Sequence, residues 1–300
     1  MDRIYKKGIL LAILAAALYA INSPFSKLLL DFVPPTLMAG FLYLGAGIGM
    51  GAVALFGKAV GHRRSETGLT KKDMPYVVAM VALDIAAPIF LLVGLSHTTA
   101  ANASLLNNFE IVATAFIALA LFGEKIGARL WCGIAFVTAS CLFLSFEDMS
   151  SLSFSEGSLF VIAACVCWGF ENNCTRKLSS SDPLRIVVVK GIFSGLGSLV
   201  IGFCIGERLG QWWSVLAVMC VGLVAYGMSI FFYVYAQRML GATRTGAYYA
   251  IAPFIGTGLS LLIFKELPSY TYFIALVLMA IGAWLCSGDR PIFKKGRLKN

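Results

Sequence analysis

The sequence predicts an all-α integral membrane protein with ten transmembrane helices in two inverted five-helix repeats. Three observations carry that reading. Of 300 residues, 59% are hydrophobic and 13% charged, at a mean hydropathy of +0.84, whereas soluble chains hold roughly a quarter charged residues. The apolar residues fall in runs of membrane-crossing length, since about 20 residues at about 1.5 Å each span a hydrocarbon core of about 30 Å. The basic residues collect in alternate connectors, as orientation signals do.

Cutting at charged, proline-containing and polar breaks gives spans at 8–31, 35–57, 74–95, 101–122, 128–146, 157–178, 183–206, 213–237, 245–264 and 270–287. The connectors are short except around Lys58–Asp73 and Glu147–Glu156, so no soluble domain is expected. Met1 to Lys7 ahead of Ala15-Ala16-Ala17 imitates a signal peptide. The run continues past Asn22 towards Leu30, however, and is read as the first membrane helix.

With the N-terminus cytoplasmic, the inner segments hold Arg3, Lys6 and Lys7, then Lys58, Arg63, Arg64, Lys71 and Lys72, then Lys125 and Arg129. They continue with Arg176, Lys177, Arg185, Arg238 and Arg244, and end with Arg290, Lys294, Lys295, Arg297 and Lys299. The outer segments hold only Lys27, Arg208 and Lys265, a bias of twenty against three, with Lys190 inside a span. The chain is therefore expected in the plasma or inner cell membrane, multi-pass, with both termini cytoplasmic. The net charge of +9 is accounted for by these signals, so the lipid bilayer is the expected partner and nucleic acid is not. All eight cysteines lie in apolar segments and read as small buried hydrophobes, with neither a disulfide nor a metal site suggested. No cofactor is expected.

The halves repeat. Aligning Gly8 with Gly157 pairs Tyr19 with Trp168, Asn22 with Glu171, Lys27 with Arg176 and Pro34 with Pro183 without a gap. Phe122-Gly123-Glu124 likewise matches Phe264-Lys265-Glu266, each closing the fourth span of its half. Residues 1–149 and 150–300 then form the two units. Because five is odd, the second enters the membrane inverted, an arrangement shared by many alternating-access transporters.

This repeat, the Trp168-Gly169 element opening the second half and the endings at Glu124 and Glu266 resemble the EamA family of the drug/metabolite transporter superfamily. The resemblance covers residues 8–287. It implies a ten-helix secondary transporter, often an exporter of amino acids and related metabolites, with a central cavity between the halves. The family often has Glu-Pro midway along the fourth helix of each half. Here Glu110-Ile111 and Ala252-Pro253 each keep half of that signature.

The polar residues inside the spans are the candidate site. Glu171 closes the apolar run from Gly157 within Trp168-Gly169-Phe170-Glu171-Asn172-Asn173, and an intramembrane carboxylate must face protein, a ligand or a wet cavity. Glu171 lies seven residues before Leu178, and Lys190 lies seven after Pro183, so opposite charges reach the same depth on consecutive helices. They form either a structural ion pair or the charged part of a substrate site completed by Asn22, Trp168 and Asn172. In the fourth span Asn107, Glu110 and Thr114 share one face, and Asp84 lies at a similar depth. Asp84 and Glu110 are expected to share a low-dielectric site and couple transport to protons, unless each is merely held by neighbouring amides and hydroxyls.

Tyr248 and Tyr249 match Leu106 and Asn107 in the repeat. They line the cavity or belong to an interfacial aromatic belt. Lys27 and Arg176–Lys177 are read as snorkelling, and the glycines of spans two and seven (Gly45, Gly47, Gly49, Gly51, Gly191 and Gly195) as sites of close backbone approach.

Both signs of charge in one interior suit a zwitterion, hence a proton- or gradient-linked exporter of small polar metabolites such as amino acids, acting as a monomer or a dimer. An organic-cation carrier, with Glu171, Trp168 and tyrosines as an aromatic cage, is the alternative. A membrane enzyme acting on lipids is disfavoured. The only histidines, His62 and His97, lie in connectors, and no clustered nucleophile or metal motif is present.

Overall fold

The computed structural model describes residues 3–59, 69–122, 127–148, 153–178, 181–240, 245, 248–265 and 269–287. The endings at Glu124 and Glu266 lie outside these residues. Helix is present in each range marked above: α1 Arg3–Ala20, α2 Asn22–Leu29, α3 Pro35–Ala59, α4 Met74–His97, α5 Ala100–Leu106, α6 Phe109–Phe122 and α7 Ala128–Ser145. It continues with α8 Glu156–Leu178, α9 Pro183–Val189, α10 Gly195–Cys204, α11 Trp212–Gly222, α12 Ser229–Leu240, α13 Ala252–Phe264 and α14 Tyr270–Ser287. Among the described residues, seven helical segments are long and apolar enough to cross a membrane, and Ala252–Phe264 and Tyr270–Cys286 are shorter apolar helices. Bulky apolar side chains such as Leu55, Val78, Leu262 and Trp284 face outward, as a lipid-facing surface requires.

Short polar residues start several helices. Thr99 accepts a hydrogen bond from the Asn102 amide at 3.1 Å and Asp182 one from the Leu184 amide at 3.0 Å, and prolines at positions 35, 75 and 183 occupy first turns, where no amide is needed. The chain between residues 145 and 156 holds a short antiparallel ladder, Phe146–Asp148 against Ser153–Phe154, which hydropathy alone does not predict.

Five runs expected to be uninterrupted helices are not. The first breaks at Ile21, where Pro24 has no amide to offer the Ala20 carbonyl. The fourth breaks at Asn107–Asn108, where tight turns replace α-helical bonds: Asn108 N donates to Leu105 O at 3.2 Å and Glu110 N to Asn107 O at 3.2 Å. Spans seven and eight each contain a π-helical turn, at Lys190–Ser194 and Leu223–Met228. In span nine a turn at Ala250–Ile251 separates Tyr248–Tyr249 from α13.

The helices pack across the chain's midpoint. α4 lies along α8, α1 along α12, α3 between α10 and α11, α5 against α13 and α7 against α14. The α3 interface is tight because glycine faces glycine: a Cβ on Gly191 would lie 2.3 Å from the Gly47 amide nitrogen. Any side chain there would separate α3 from the π-helical turn that carries Lys190.

Candidate functional site

The site is built where α8, α4 and the first π-helical turn converge. Lys190 opens that turn, whose widened coil presents its long side chain to both neighbours. Its ammonium donates to Glu171 Oε1 at 2.8 Å and forms an ion pair with Asp84 Oδ2 at 3.2 Å. All three side chains are buried, at 6%, 3% and 0% exposure, which such charges tolerate only when paired. Thr175, one helical turn beyond Glu171, donates to the same Oε1, and the Tyr43 hydroxyl donates to Asp84 Oδ1 at 2.9 Å.

The depth argument thus correctly joined Glu171 to Lys190, and it missed Asp84 as the second carboxylate of the cluster. Asp84 is held by Lys190 and Tyr43. Glu110 instead accepts from Asn172 Nδ2 at 2.6 Å, while the same amide reaches Thr114 Oγ1 at 3.4 Å. This pairing follows from Gly169. A Cβ there would lie 2.8 Å from the Ala113 Cβ, so its absence lets α8 close on α6 and sets Asn172 opposite Glu110. Asn173 locks the contact by donating to Thr114 O at 3.3 Å and Gly169 O at 2.8 Å.

A chain of tyrosines leads away from the charges. The Tyr43 ring lies 5.1 Å from Tyr226, Tyr226 lies 6.0 Å from Tyr19, Tyr19 lies 5.9 Å from Tyr249, and Tyr249 lies 4.8 Å from Tyr233. Asn22 donates to the Tyr226 hydroxyl at 3.2 Å and accepts from Ser26 at 3.1 Å, so it joins the aromatic chain and makes no hydrogen bond with Glu171. Tyr226 lies in the second π-helical turn. Sequence reasoning named only Tyr249 of these five as a site residue. Polar aromatics within apolar runs were the available signal, but interfacial belts give the same signal.

Three expected site residues lie elsewhere. Tyr248 packs beside Ala12, Ala236 and Leu240, away from Tyr249, because consecutive helical residues point in different directions. Trp168 is buried in the main apolar core. Asn107 sits at the helix break, lining a small cavity with Tyr19, Ala20, Ser23, Ser104, Ala252, Pro253 and Gly256. Lys27 does more than snorkel: it donates to Leu95 O at 2.5 Å and Thr98 O at 2.8 Å, clamping the C-terminal end of α4. At the opposite kind of helix end, Glu207 accepts from the Thr36 and Leu37 amides at 3.1 and 2.8 Å, a cap invisible from sequence spacing. All eight cysteines are free thiols. Cys141 and Cys165 are buried as expected, but Cys132, Cys204 and Cys220 are exposed on the outer helix faces.

Membrane-length helices enclosing paired charges and hydrogen-bonding aromatics define a polytopic membrane protein with a polar interior. The chain belongs to the EamA-like transporter family, whose profile matches residues 6–146 and again 155–288. It is similar to an uncharacterised transporter of Methanothermobacter thermautotrophicus, 24% identical over 292 residues that cover 93% of this chain and 85% of the relative. It is also similar to the uncharacterised transporter YyaM of Bacillus subtilis, 20% identical over 235 residues, 73% of this chain and 75% of that one. A solved crystal structure shares the fold with a TM-score of 0.67 at 19% identity, covering 93% of this chain and 94% of its own. Family and relatives point to transport rather than catalysis.

Proposed function

We propose that the protein is a secondary active transporter exporting small polar metabolites, amino acids and related compounds, by alternating access. In this reading ten helices form two inverted repeats, residues 1–149 and 150–300, with both termini cytoplasmic in the cell membrane. The twofold match of the family profile supports the repeat. So does the packing: exchanging each span with its counterpart five places on turns the α4–α8 contact into α12–α1, and returns α3–α10, α5–α13 and α7–α14 onto themselves. A pseudo-two-fold axis requires that exchange.

The observation that carries the substrate class is Lys190 held between Asp84 and Glu171. A zwitterion presents its ammonium to a carboxylate and its carboxylate to Lys190, so each buried charge exchanges one partner for another. The large cost of exposing an unpaired charge to hydrocarbon is avoided throughout. A second reading, an organic-cation carrier, is favoured by the five linked tyrosines, whose ring faces attract quaternary ammonium groups.

A thermal-shift screen of the purified protein over amino acids, nucleosides and quaternary amines tests both, because a ligand of the folded state raises apparent stability by mass action. Amino acids as the stabilising class support the first reading. Stabilisation confined to quaternary amines replaces it with the second, and saturable counterflow in vesicles with the hit compound checks transport itself.

A further inference from the structure

Lys190 serves two carboxylates whose surroundings differ. Asp84 has no exposed surface, and its oxygens have separate partners: the Tyr43 hydroxyl of α3 donates to Oδ1 at 2.9 Å, and the Lys190 ammonium lies 3.2 Å from Oδ2. Among the described residues that ion pair is all Oδ2 has, since no hydrogen bond reaches it. Glu171 keeps 3% exposure, and Lys190 and Thr175 both donate to its Oε1. Turning Lys190 away from Asp84 would strand a sealed oxygen, whereas turning it away from Glu171 leaves the Thr175 hydroxyl on the same atom. The Glu171 contact is therefore the one that opens more readily.

Tyr43 is tied to the same frame. A Cβ on Gly191, the residue after Lys190, would lie 2.7 Å from the Tyr43 carbonyl oxygen and 2.3 Å from the Gly47 amide nitrogen, so α3 and the π-helical turn meet backbone to backbone. From one position on α3, Tyr43 thus seats the turn with its backbone and orients Asp84 with its hydroxyl.

We propose that Asp84 is the resident counter-ion of Lys190, that Tyr43 is the positioning residue holding Asp84, and that Glu171 is the carboxylate that yields to a ligand's ammonium. The ligand's carboxylate then meets Lys190 on the side that Glu171 has left. While the Tyr43 hydroxyl engages Oδ1, only one Asp84 oxygen draws on the ammonium. Without that hydroxyl both oxygens compete for it and pull it off the ligand. The ligand contacts rest on the zwitterion reading above, but the link from Tyr43 through Asp84 to Lys190 does not.

The test compares binding of amino acids with that of their carboxamides, which keep the ammonium and replace the carboxylate by a neutral group. Wild type is expected to prefer the amino acid. Tyr43→Phe is expected to weaken amino-acid binding about tenfold, the worth of one hydrogen bond to a charged group, with carboxamide binding nearly unchanged. Asp84→Asn is expected to move the preference the other way. Lys190 then has Glu171 alone, so a carboxamide that takes Glu171 strands the lysine and an amino acid does not. That variant also carries the test where Tyr43→Phe fails to fold. A merely structural role weakens both members of each pair equally, and that result, or an unchanged preference, would overturn the proposal. No binding of either member to wild type would remove the amino-acid reading and the role given to Glu171. The link from Tyr43 to Lys190 is then decided by unfolding of Tyr43→Phe, Lys190→Met and the double variant: non-additive losses support it and additive losses overturn it.

Discussion

Lys190 and Asp84 form a buried ion pair at 3.2 Å although they lie in different halves of the chain, and the same ammonium reaches Glu171 at 2.8 Å. One cation therefore neutralises part of two carboxylates on two different helices. The arrangement makes the pairing switchable, since losing either contact leaves the other in place.

Lys190→Met alone strands two buried carboxylates and is expected to destabilise the protein by about 3–5 kcal/mol. Adding Asp84→Asn and Glu171→Gln should restore most of that loss, because the triple variant has no unpaired charge to bury. Thermal unfolding in detergent measures both effects. Under the proposed function the triple variant folds but no longer binds the amino acid found in the screen, and wild-type affinity in that variant would make the cluster scaffolding.

Glu110→Gln keeps an acceptor for Asn172 and removes a charge one turn from the cavity lined by Asn107. Under the proposed function, pH-driven flux should disappear in the Gln variant while substrate exchange persists. An unchanged pH profile would remove Glu110 from the coupling.

The Lys27 clamp predicts a stability effect far from the charge cluster. Lys27→Met removes charge-assisted hydrogen bonds to Leu95 and Thr98 and is expected to cost about 1.5–3 kcal/mol, with ligand affinity nearly unchanged. A melting temperature equal to wild type would return Lys27 to simple snorkelling.

Lys265 caps α13 in the left-handed region at φ 52°, the conformation in which a side chain meets the backbone. Lys265→Gly relieves that contact and is expected to raise stability by about 1 kcal/mol. A lower melting temperature would show that the lysine side chain supplies more than the strain costs.

Orientation is tested by single-cysteine labelling in a cysteine-free background. Ser151→Cys, in a stretch outside the described residues, should be labelled by an impermeant reagent in intact cells. Labelling only after permeabilisation would reverse the topology and, with it, the inverted repeat.

The sequence by itself determined the membrane class, the placement of helices and the Glu171–Lys190 pairing. Those follow from one-dimensional properties: hydropathy sets which segments leave water, and distance from a helix end sets depth. It did not determine which of several residues at one depth face each other, because rotation about a helix axis depends on packing against neighbours. Gly169 and the Gly47–Gly191 contact set those rotations, bringing Asn172 to Glu110 and Lys190 to Asp84 rather than joining the two carboxylates. The tyrosine chain and the cavity beneath Gly256 arise the same way. Their residues come from separate spans, and only the tertiary fold, by closing helices on one another and interrupting them at Ile21 and Asn107, decides that they meet.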